Sequence, residues 1–224
     1  MNWAPAPVPD PGTPASGSLP DLFAILLALK EMPRTGWVDR GIPEARAESV
    51  AEHSFQTALI AWMVALAHPE RGLDADRVLK LALVHDLAES LIGDLPPYDP
   101  AEIPDEPDAR RAFFAVRRTR TPEQAEAKRA AEAAATDRLL ARMPPPVRTE
   151  IGALLHEYEA RATPEARFVK EVDGLETFLQ ARAYATAFPE IPLAGFTDMA
   201  MHAIADPALT AIRDEAGGVV PDPE

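Results

Sequence analysis

Cysteine is absent from the 224-residue chain, and this absence removes several classes of function. Without a thiol the chain forms no disulfide, builds no thiolate zinc site and uses no Cys nucleophile. Long apolar runs are also lacking: none approaches the roughly 20 residues that a membrane-spanning helix needs, so we expect no membrane span. Since the chain has no thiolate to offer, any metal ion must be bound by imidazole and carboxylate groups.

Basic residues are in the minority, with 22 Lys and Arg against 36 Asp and Glu and a formal net charge of -14. This charge argues against a nucleic-acid partner, because proteins hold nucleic-acid backbones with cationic side chains. A small anionic substrate stays compatible with the sequence if basic residues gather locally. The N-terminus has neither the basic nor the apolar segment of a signal peptide, so we expect a cytoplasmic protein.

Helix signals recur along the chain, and no alternating strand pattern competes with them. We therefore expect an all-α fold, a compact bundle of about six to eight helices around one core. Residues 1–17 are expected to form a disordered Pro-rich leader, 18–215 the folded domain and 216–224 a flexible tail. The predicted helices begin at 18 and span about 18–32, 49–67, 74–91 (closed by Gly93), 121–143, 147–161, 163–185 and 196–215.

Three of these helices carry ionisable residues toward the core. His53 lies on the apolar side of the second helix, and His85 lies on that of the third, with Asp86 beside it. Asp173 borders the apolar stripe of the long helix near the C-terminus. Three separate helices thus bring a metal-competent group to the core side.

A buried carboxylate is costly unless it is paired, hydrogen-bonded or bound to a metal. A single inward His is more often a hydrogen-bonded core residue than a ligand, so His53 alone is ambiguous. The adjacent pair at 85–86 and the Asp on a third helix shift the balance, because each of these groups needs a partner. Two neutral imidazoles and two carboxylates suit one divalent ion (Mn, Co, Fe, Mg or Zn) with positions left for water and substrate.

Longer segments around these residues resemble a known family. They are LKEMPRTGWVDRGI, AESVAEHS, LALVHDLAESLIGDL and EARFVKEVDGLETFLQA. In this order they are similar to the HD-domain metal-dependent phosphohydrolases, and in particular to their 5′-deoxynucleotidase branch, over roughly residues 20 to 190. The resemblance implies an all-α HD domain that acts on deoxyribonucleoside 5′-monophosphates, and it suggests a homodimer. It also implies that one divalent ion is bound by His53, His85, Asp86 and Asp173.

The resemblance assigns roles around this predicted metal site. Glu89 matches the catalytic glutamate of the family and lies one helical turn after His85, where it could take a proton from the attacking water. Asp94 matches a residue that contacts the sugar hydroxyl and favours deoxyribose. As a helix-terminal Asp, it could equally form a turn.

The PRTGW segment matches the part of the family that contacts phosphate and nucleoside. A forked cation beside a flat ring suits a nucleotide, which makes Arg34 and Trp37 candidate substrate contacts. Loop spacing varies within the family, so either Arg34 or Arg40 is the phosphate ligand. Packing in the core is the alternative role for Trp37.

Other functions of HD proteins fit the sequence less well. Cyclic-dinucleotide phosphodiesterases of the GYP type resemble HDIGK, with Lys where this chain has Glu89, and no GYP triplet occurs here. Guanosine tetraphosphate hydrolases carry an acidic pair after the HD pair, whereas Ser90 follows Glu89, so this and other HD nucleotide phosphohydrolases are the alternatives. A non-catalytic nucleotide-sensing HD module would have no need of Glu89. The prediction is thus a metal-dependent phosphohydrolase that prefers deoxynucleotides.

Overall fold

The computed structural model describes residues 19–190, 192 and 194–218. Apart from one isolated bridge between Pro33 and Ser49, these residues contain no β-structure, so the all-α prediction is confirmed. Eight of the eleven described α-helices have ten or more residues, and the other three are shorter. The helices are α1 Leu19–Glu31, α2 Thr35–Val38, α3 Val50–Ala67, α4 Ala75–Val84, α5 Glu89–Ile92, α6 Pro107–Phe114, α7 Pro122–Ala141, α8 Pro145–Ala160, α9 Pro164–Ala187, α10 Ala194–Ala203 and α11 Pro207–Gly218.

The described residues cover the predicted ends of the domain only in part. The leader predicted for 1–17 lies outside them. Helix α11 continues to Gly218, so its last turn includes residues 216–218 of the predicted tail, and residues 219–224 lie outside the description. Between these limits one large hydrophobic core contains side chains from Ile25 in α1 to Leu209 in α11.

Helices α3, α4 and α9 pack against one another at the centre of this core. Ala61, Leu81 and Leu175 are each completely buried there. Burial of an aliphatic side chain the size of leucine stabilises the fold by roughly 1.5–3 kcal/mol. The same three helices carry or adjoin the ionisable residues singled out in the sequence, so the core holds those residues on rigid supports.

The start of α3 is fixed by a capping box. The Ser49 hydroxyl accepts the backbone N–H of Glu52, and the Glu52 carboxylate accepts the backbone N–H of Ser49. This reciprocal arrangement satisfies amide groups that a helix start leaves unpaired. It sets the first turn of α3, and with it the direction of His53, which lies one turn further on.

The third predicted helix, 74–91, is interrupted in the structure. Helix α4 ends at Val84 and α5 begins at Glu89, and residues 85–88 between them form a turn. Hydrogen bonds from Leu87 N–H to Val84 O and from Glu89 N–H to Asp86 O join residues three apart, which winds the chain more tightly than an α-helix. Gly93, with a φ of 83°, closes α5 as expected from the sequence.

The last predicted helix, 196–215, is two helices. Pro207 has no N–H to donate, so an uninterrupted helix cannot continue through it without losing a bond. Asp206 instead caps α11 by accepting the backbone N–H groups of Ala208 and Leu209. The carboxylate of Glu171 accepts the backbone N–H of Asp206, which ties this break to α9.

Among the described helices, α3 alone is long and apolar enough to cross a membrane by length and composition, with a mean hydropathy of 1.2. The side of α3 that carries His53 is buried against α4 and α9. A helix that packs in a protein core can have the same length and apolar composition as a membrane span. The burial of this side of α3 agrees with such a core helix.

Candidate active site

Helices α3 and α9 and the turn between α4 and α5 bring the four predicted metal ligands together beneath one cleft, which Asp86 and Asp173 line. Ligand atoms of His53, His85 and Asp86 all lie within 4.8 Å of one another. The His85 Nε2 atom is 3.1 Å from Asp86 Oδ2, and the His53 Nε2 atom is 3.7 Å from the same oxygen. The interrupted helix thus lets two consecutive residues face one point.

Asp173 approaches the same point from α9. Its Oδ1 atom lies 3.2 Å from His53 Nε2. Its Oδ2 atom accepts hydrogen bonds from Lys170 Nζ at 2.8 Å and from the Tyr158 hydroxyl at 3.2 Å, so one oxygen is held and the other faces the histidines. We call His53, His85, Asp86 and Asp173 the donor floor of the cleft.

The hydrogen bonds of the two imidazoles show which ring nitrogens are available. His85 Nδ1 lies 2.7 Å from the carbonyl oxygen of Ala82, and because a carbonyl only accepts, this nitrogen carries the proton. His53 Nδ1 lies 2.5 Å from Glu176 Oε2. Both Nε2 atoms are buried without a hydrogen-bond partner among the described residues.

These buried Nε2 atoms, together with two carboxylates, fit a divalent cation. A neutral imidazole whose Nδ1–H is engaged presents its Nε2 lone pair to a metal. The surroundings also favour positive charge at this point. Burial and the Arg34 charge lower the pKa of His53, but contacts with Asp173 and Glu176 outweigh them and raise it to about 10, so a cation bound here would displace a proton from this ring.

The carboxylates of the donor floor remain ionised in this setting. Burial acts to raise the pKa of Asp86, but the neighbouring His85 and His53 hold it well below its usual range. Burial acts in the same way on Asp173, whose pKa is held low mainly by Lys170 and then by His53. Anionic oxygens are therefore available as ligands over the whole physiological pH range.

Glu89 lines the same cleft beside Asp86. Its Oε2 atom is buried and lacks a hydrogen-bond partner within the described part of the chain. Burial, followed by the charges of Asp86 and Asp94, raises the pKa of Glu89 to about 9. The group is thus placed to hold a proton next to the donor floor, and its catalytic role stays a prediction from the sequence.

Basic side chains gather around the cleft, whose volume is about 820 Å³. Eight Lys and Arg residues line it, in a chain whose formal net charge is -14. We call them the cationic wall; they are Arg34, Arg40, Arg117, Arg118, Arg120, Lys128, Arg161 and Lys170. A cleft lined with cations attracts a small anion into an otherwise acidic protein.

Arg34 and Asp94 form one unit at the edge of the donor floor. The Arg34 Nε atom lies 3.7 Å from Asp94 Oδ2, and the same oxygen accepts the backbone N–H of Thr35 at 2.7 Å. The Arg34 Nη1 atom is buried and has no hydrogen-bond partner among the described residues. Asp94 thus anchors the start of α2 through a contact between distant segments, and both side chains also line the cleft.

Trp37 is placed differently from a nucleoside contact. Its side chain is only 2% exposed, and it packs against Tyr184 and Phe196 at ring distances of 5.2 and 4.7 Å. Its indole N–H donates to Glu48 Oε1 at 2.7 Å. These contacts leave little of the ring exposed to a ligand. They give Trp37 the packing role that the sequence had left as an alternative.

Arg40 lies in the cationic wall with its guanidinium between two aromatic rings. Its central carbon is 4.5 Å from the ring centre of Phe114 and 4.3 Å from that of Phe196. Its Nη1 atom donates to the carbonyl oxygen of Gly36. Each of the two arginines keeps one buried guanidinium nitrogen without a hydrogen-bond partner among the described residues, but Arg34 is the one close to the charges of Asp86 and Asp173.

Several residues of the site were not identified from the sequence. Glu176 lies three positions after Asp173, hence on the same side of α9, and this spacing was the available signal. Lys170 has the same spacing in the other direction. The arginines of the segment 117–120 reach the cleft from a linker whose local pattern does not indicate what it faces.

Comparison with known proteins decides the family. A sequence model of the HD-domain family matches residues 26–203 of this chain. The chain belongs to the HD-domain family. This HD domain is 35% identical over 170 residues to 5′-deoxynucleotidase HDDC2 of Xenopus laevis, covering 76% of this chain and 71% of that protein. The human protein of the same name is 35% identical over 167 residues, 75% of this chain and 68% of its own.

A more distant relative and the solved structures agree with this assignment. 5′-deoxynucleotidase hdd1 of Schizosaccharomyces pombe is 31% identical over 163 residues, 73% of this chain and 70% of its own. A conserved hypothetical protein of Pyrococcus furiosus superimposes with a TM-score of 0.61 at 27% identity, over 88% of this chain and 98% of its own. The PH0347 protein of Pyrococcus horikoshii gives a TM-score of 0.60 at 27% identity, over 89% and 98%.

Membership of the HD-domain family implies a divalent metal ion. The donor floor fits such an ion by its own chemistry, since ligand atoms of His53, His85 and Asp86 lie within 4.8 Å of one another and Asp173 Oδ1 lies 3.2 Å from His53 Nε2.

Proposed function

We propose that this HD domain hydrolyses deoxyribonucleoside 5′-monophosphates to deoxynucleosides and inorganic phosphate, with one divalent metal ion. The observation that carries the proposal is the combination, in a single cleft, of a donor floor for a cation and a cationic wall for an anion. The substrate class is supported by relatives at 31–35% identity that are named 5′-deoxynucleotidases.

In this proposal the ion is bound by Nε2 of both histidines and by carboxylate oxygens of Asp86 and Asp173. A divalent ion, when bound, polarises a phosphoryl oxygen and lowers the pKa of a water molecule. Mixed nitrogen and oxygen donors suit Mn, Co, Fe, Mg or Zn, and the proposal includes any one of these.

Proton transfer is assigned to Glu89. Hydrolysis forms a bond from the water oxygen to phosphorus and breaks the bond from phosphorus to O5′, so the water loses a proton and O5′ gains one. The raised pKa lets Glu89 hold a proton at neutral pH and donate it to O5′. The carboxylate that remains would then take up the proton lost by the water, so that Glu89 ends the reaction protonated, as it began.

Substrate binding is assigned to the cationic wall, with Arg34 as the phosphate ligand. Its buried, unpaired Nη1 is a donor that an incoming phosphate oxygen would satisfy. Asp94, which anchors Arg34, is assigned the preference for deoxyribose through the sugar hydroxyl. Arg40, a member of the wall, and Trp37 both pack against Phe196 and so shape this side of the cleft.

A phosphate-release screen tests this function. Protein loaded in turn with Mn²⁺, Co²⁺, Fe²⁺, Mg²⁺ and Zn²⁺ is offered deoxyribo- and ribonucleoside mono-, di- and triphosphates and guanosine tetraphosphate. We expect the highest kcat/KM for deoxyribonucleoside monophosphates. Release of pyrophosphate from guanosine tetraphosphate without turnover of monophosphates would move the assignment to that reaction. Nucleotide binding without any turnover would favour a sensing module.

We also propose that the protein is a homodimer, formed through the outer side of α3. Phe55, Leu59, Met63 and Leu66 follow one side of this helix and are 58%, 36%, 64% and 56% exposed. No Asp, Glu, Lys or Arg occurs between Glu52 and Glu70. Because each copy carries a net charge of -14, a charge-free apolar surface is where two copies meet without repulsion, and a C2 axis lets the surface pair with itself.

Light scattering coupled to size-exclusion chromatography measures this state. Wild type is expected at twice the chain mass, and Met63→Glu at the chain mass, because two buried carboxylates would face each other. Met201→Glu, at an apolar residue 57% exposed on α10, is the matched control and should leave the mass unchanged. A wild-type monomer at all concentrations would contradict the dimer.

A further inference from the structure

Glu176 is a buried carboxylate outside the donor floor. It is 1% exposed on α9, and its Oε2 atom lies 2.5 Å from His53 Nδ1. Burial of a carboxylate in a helical core is costly unless a charge or a hydrogen bond compensates for it. The imidazole of His53 compensates for it here. The other nitrogen of this ring, Nε2, points toward Asp86 and Asp173 of the donor floor.

The two histidines of the donor floor differ in what holds them. His85 donates Nδ1–H to the backbone carbonyl of Ala82, a neutral acceptor that no side-chain substitution removes. His53 has a side chain, Glu176, in the corresponding place. A carboxylate acceptor makes an imidazole a stronger base and fixes its tautomer more firmly than a carbonyl does.

A second carboxylate lies close to this contact. Glu48 lies on the other side, with ligand atoms of Glu48, His53 and Glu176 all within 4.8 Å of one another. Glu48 is itself held, because Oε1 accepts the indole N–H of Trp37 and its backbone N–H donates to the Tyr184 hydroxyl. The backbone carbonyl of Glu48 accepts the N–H of Arg34, so Glu48 connects the segment that carries Arg34 with the surroundings of His53 Nδ1.

This second cluster is better explained as support for His53 than as another metal site. Two ligands of one zinc-like ion, each about 2.0–2.2 Å from it, lie roughly 3.3 Å apart in a tetrahedral site. The 2.5 Å distance from His53 Nδ1 to Glu176 Oε2 is instead that of a short hydrogen bond.

We propose that Glu176 is a positioning residue that fixes the Nδ1–H tautomer of His53 and thereby sets the affinity of the donor floor for its metal ion. The inference rests on the proposed function only in requiring that the donor floor binds a divalent cation. Glu176 acts through His53 and touches neither substrate nor ion.

The test compares Glu176→Gln with Glu171→Gln. Glu176→Gln keeps the size of the side chain but removes its charge, and we expect the Kd for Co²⁺, measured by competition with a chelator, to rise by about 10- to 100-fold. Glu171 lies on the same helix and accepts the backbone N–H groups of Ala205 and Asp206. Glu171→Gln should lower the Tm of the metal-free protein and leave the Kd for Co²⁺ unchanged.

Histidine-selective ¹⁵N NMR supplies a second readout that does not depend on activity. In the zinc-loaded wild type the His53 Nδ1 should carry a proton, and its N–H signal should shift in Glu176→Gln while that of His85 stays in place. An unchanged Kd and an unchanged His53 signal in Glu176→Gln would overturn the inference and leave the proposed function intact. A wild type that binds no divalent ion would instead overturn the proposed function.

Discussion

The donor floor and the cationic wall lie in the same cleft but are built from different parts of the chain. The floor comes from the central helices α3 and α9 and from the turn after α4, and His53 and His85 in it are buried. The wall comes mainly from helix ends and linkers, and Arg117 and Arg161 in it are exposed. Rigid supports hold the groups that must meet at one point, whereas long flexible cations need only surround an anion.

The contrast also concerns how charges are compensated. Within the floor each group depends on a specific neighbour, such as Asp173 on Lys170 and Tyr158. Within the wall the compensation varies, because Arg118 donates to the carbonyl oxygen of Phe113 whereas Arg117 has no hydrogen bond or ion pair among the described residues. Loss of one floor residue should therefore disturb the whole site, and loss of one wall residue should weaken binding by an amount that depends on its contacts.

The largest effect is expected from Asp86→Ala in the floor. Removing a ligand strips the ion and leaves the neighbouring imidazoles unpaired, so metal content, activity and metal-dependent stabilisation should fall together. The loss of activity should exceed the roughly 10⁴-fold upper range of a missing acid or base. Metal analysis, melting curves and phosphate release measure the three quantities. Asp76→Ala, an exposed Asp on α4, is the control and should leave all three near wild type.

A smaller effect, confined to turnover, is expected from Glu89→Gln. Since Glu89 is assigned proton transfer rather than metal binding, single-turnover phosphate release should slow by about 10²- to 10⁴-fold. Metal content and nucleotide affinity should be retained. Loss of the metal in this variant would make Glu89 part of the floor, and full activity would remove it from the mechanism.

In the wall, Arg34→Ala should lower kcat/KM by about 10- to 100-fold, as expected for a charge-assisted contact worth roughly 1.5–3 kcal/mol. Metal content should not change, which separates wall from floor. Arg129→Ala is a matched control, because Arg129 pairs with Glu126 on the exposed side of α7. A larger effect from Arg40→Ala than from Arg34→Ala would reverse their assigned roles.

The smallest effect is expected from Arg117→Ala. An exposed cation without fixed contacts contributes mainly through its field, so KM should rise by about twofold to fivefold with kcat unchanged. Salt screens such fields, and the difference from wild type should vanish between 50 and 500 mM NaCl. A salt-independent rise in KM would indicate a direct contact with the substrate.

The sequence revealed the floor more fully than the wall, for a physical reason. His53, His85 and Asp173 stand out because ionisable groups beside apolar helical stripes demand partners. Arg117 and Arg120 carry no such signal, because a cation on a linker is ordinary wherever it faces. The fold class could also be predicted, because helical periodicity is a local property of the sequence.

Features that depend on contacts between distant segments were beyond sequence reasoning. The tight turn at 85–88 has the periodicity of a helix, and only its hydrogen bonds between residues three apart distinguish it. Glu176 is one of several glutamates on α9 until His53 is placed against it. The burial of Trp37 depends on Tyr184 and Phe196, which lie about 150 residues later in the chain.

One divalent ion on the donor floor is proposed to make the protein a phosphatase of deoxyribonucleoside monophosphates. Metal-free protein is titrated with Mn²⁺ and with Co²⁺ while bound metal and phosphate release from a deoxyribonucleoside 5′-monophosphate are measured in the same samples. We expect phosphate release to rise with bound metal and to reach its plateau at one ion per chain. A protein that binds the ion at this stoichiometry and releases no phosphate, or one that releases phosphate equally well without the ion, would contradict the account.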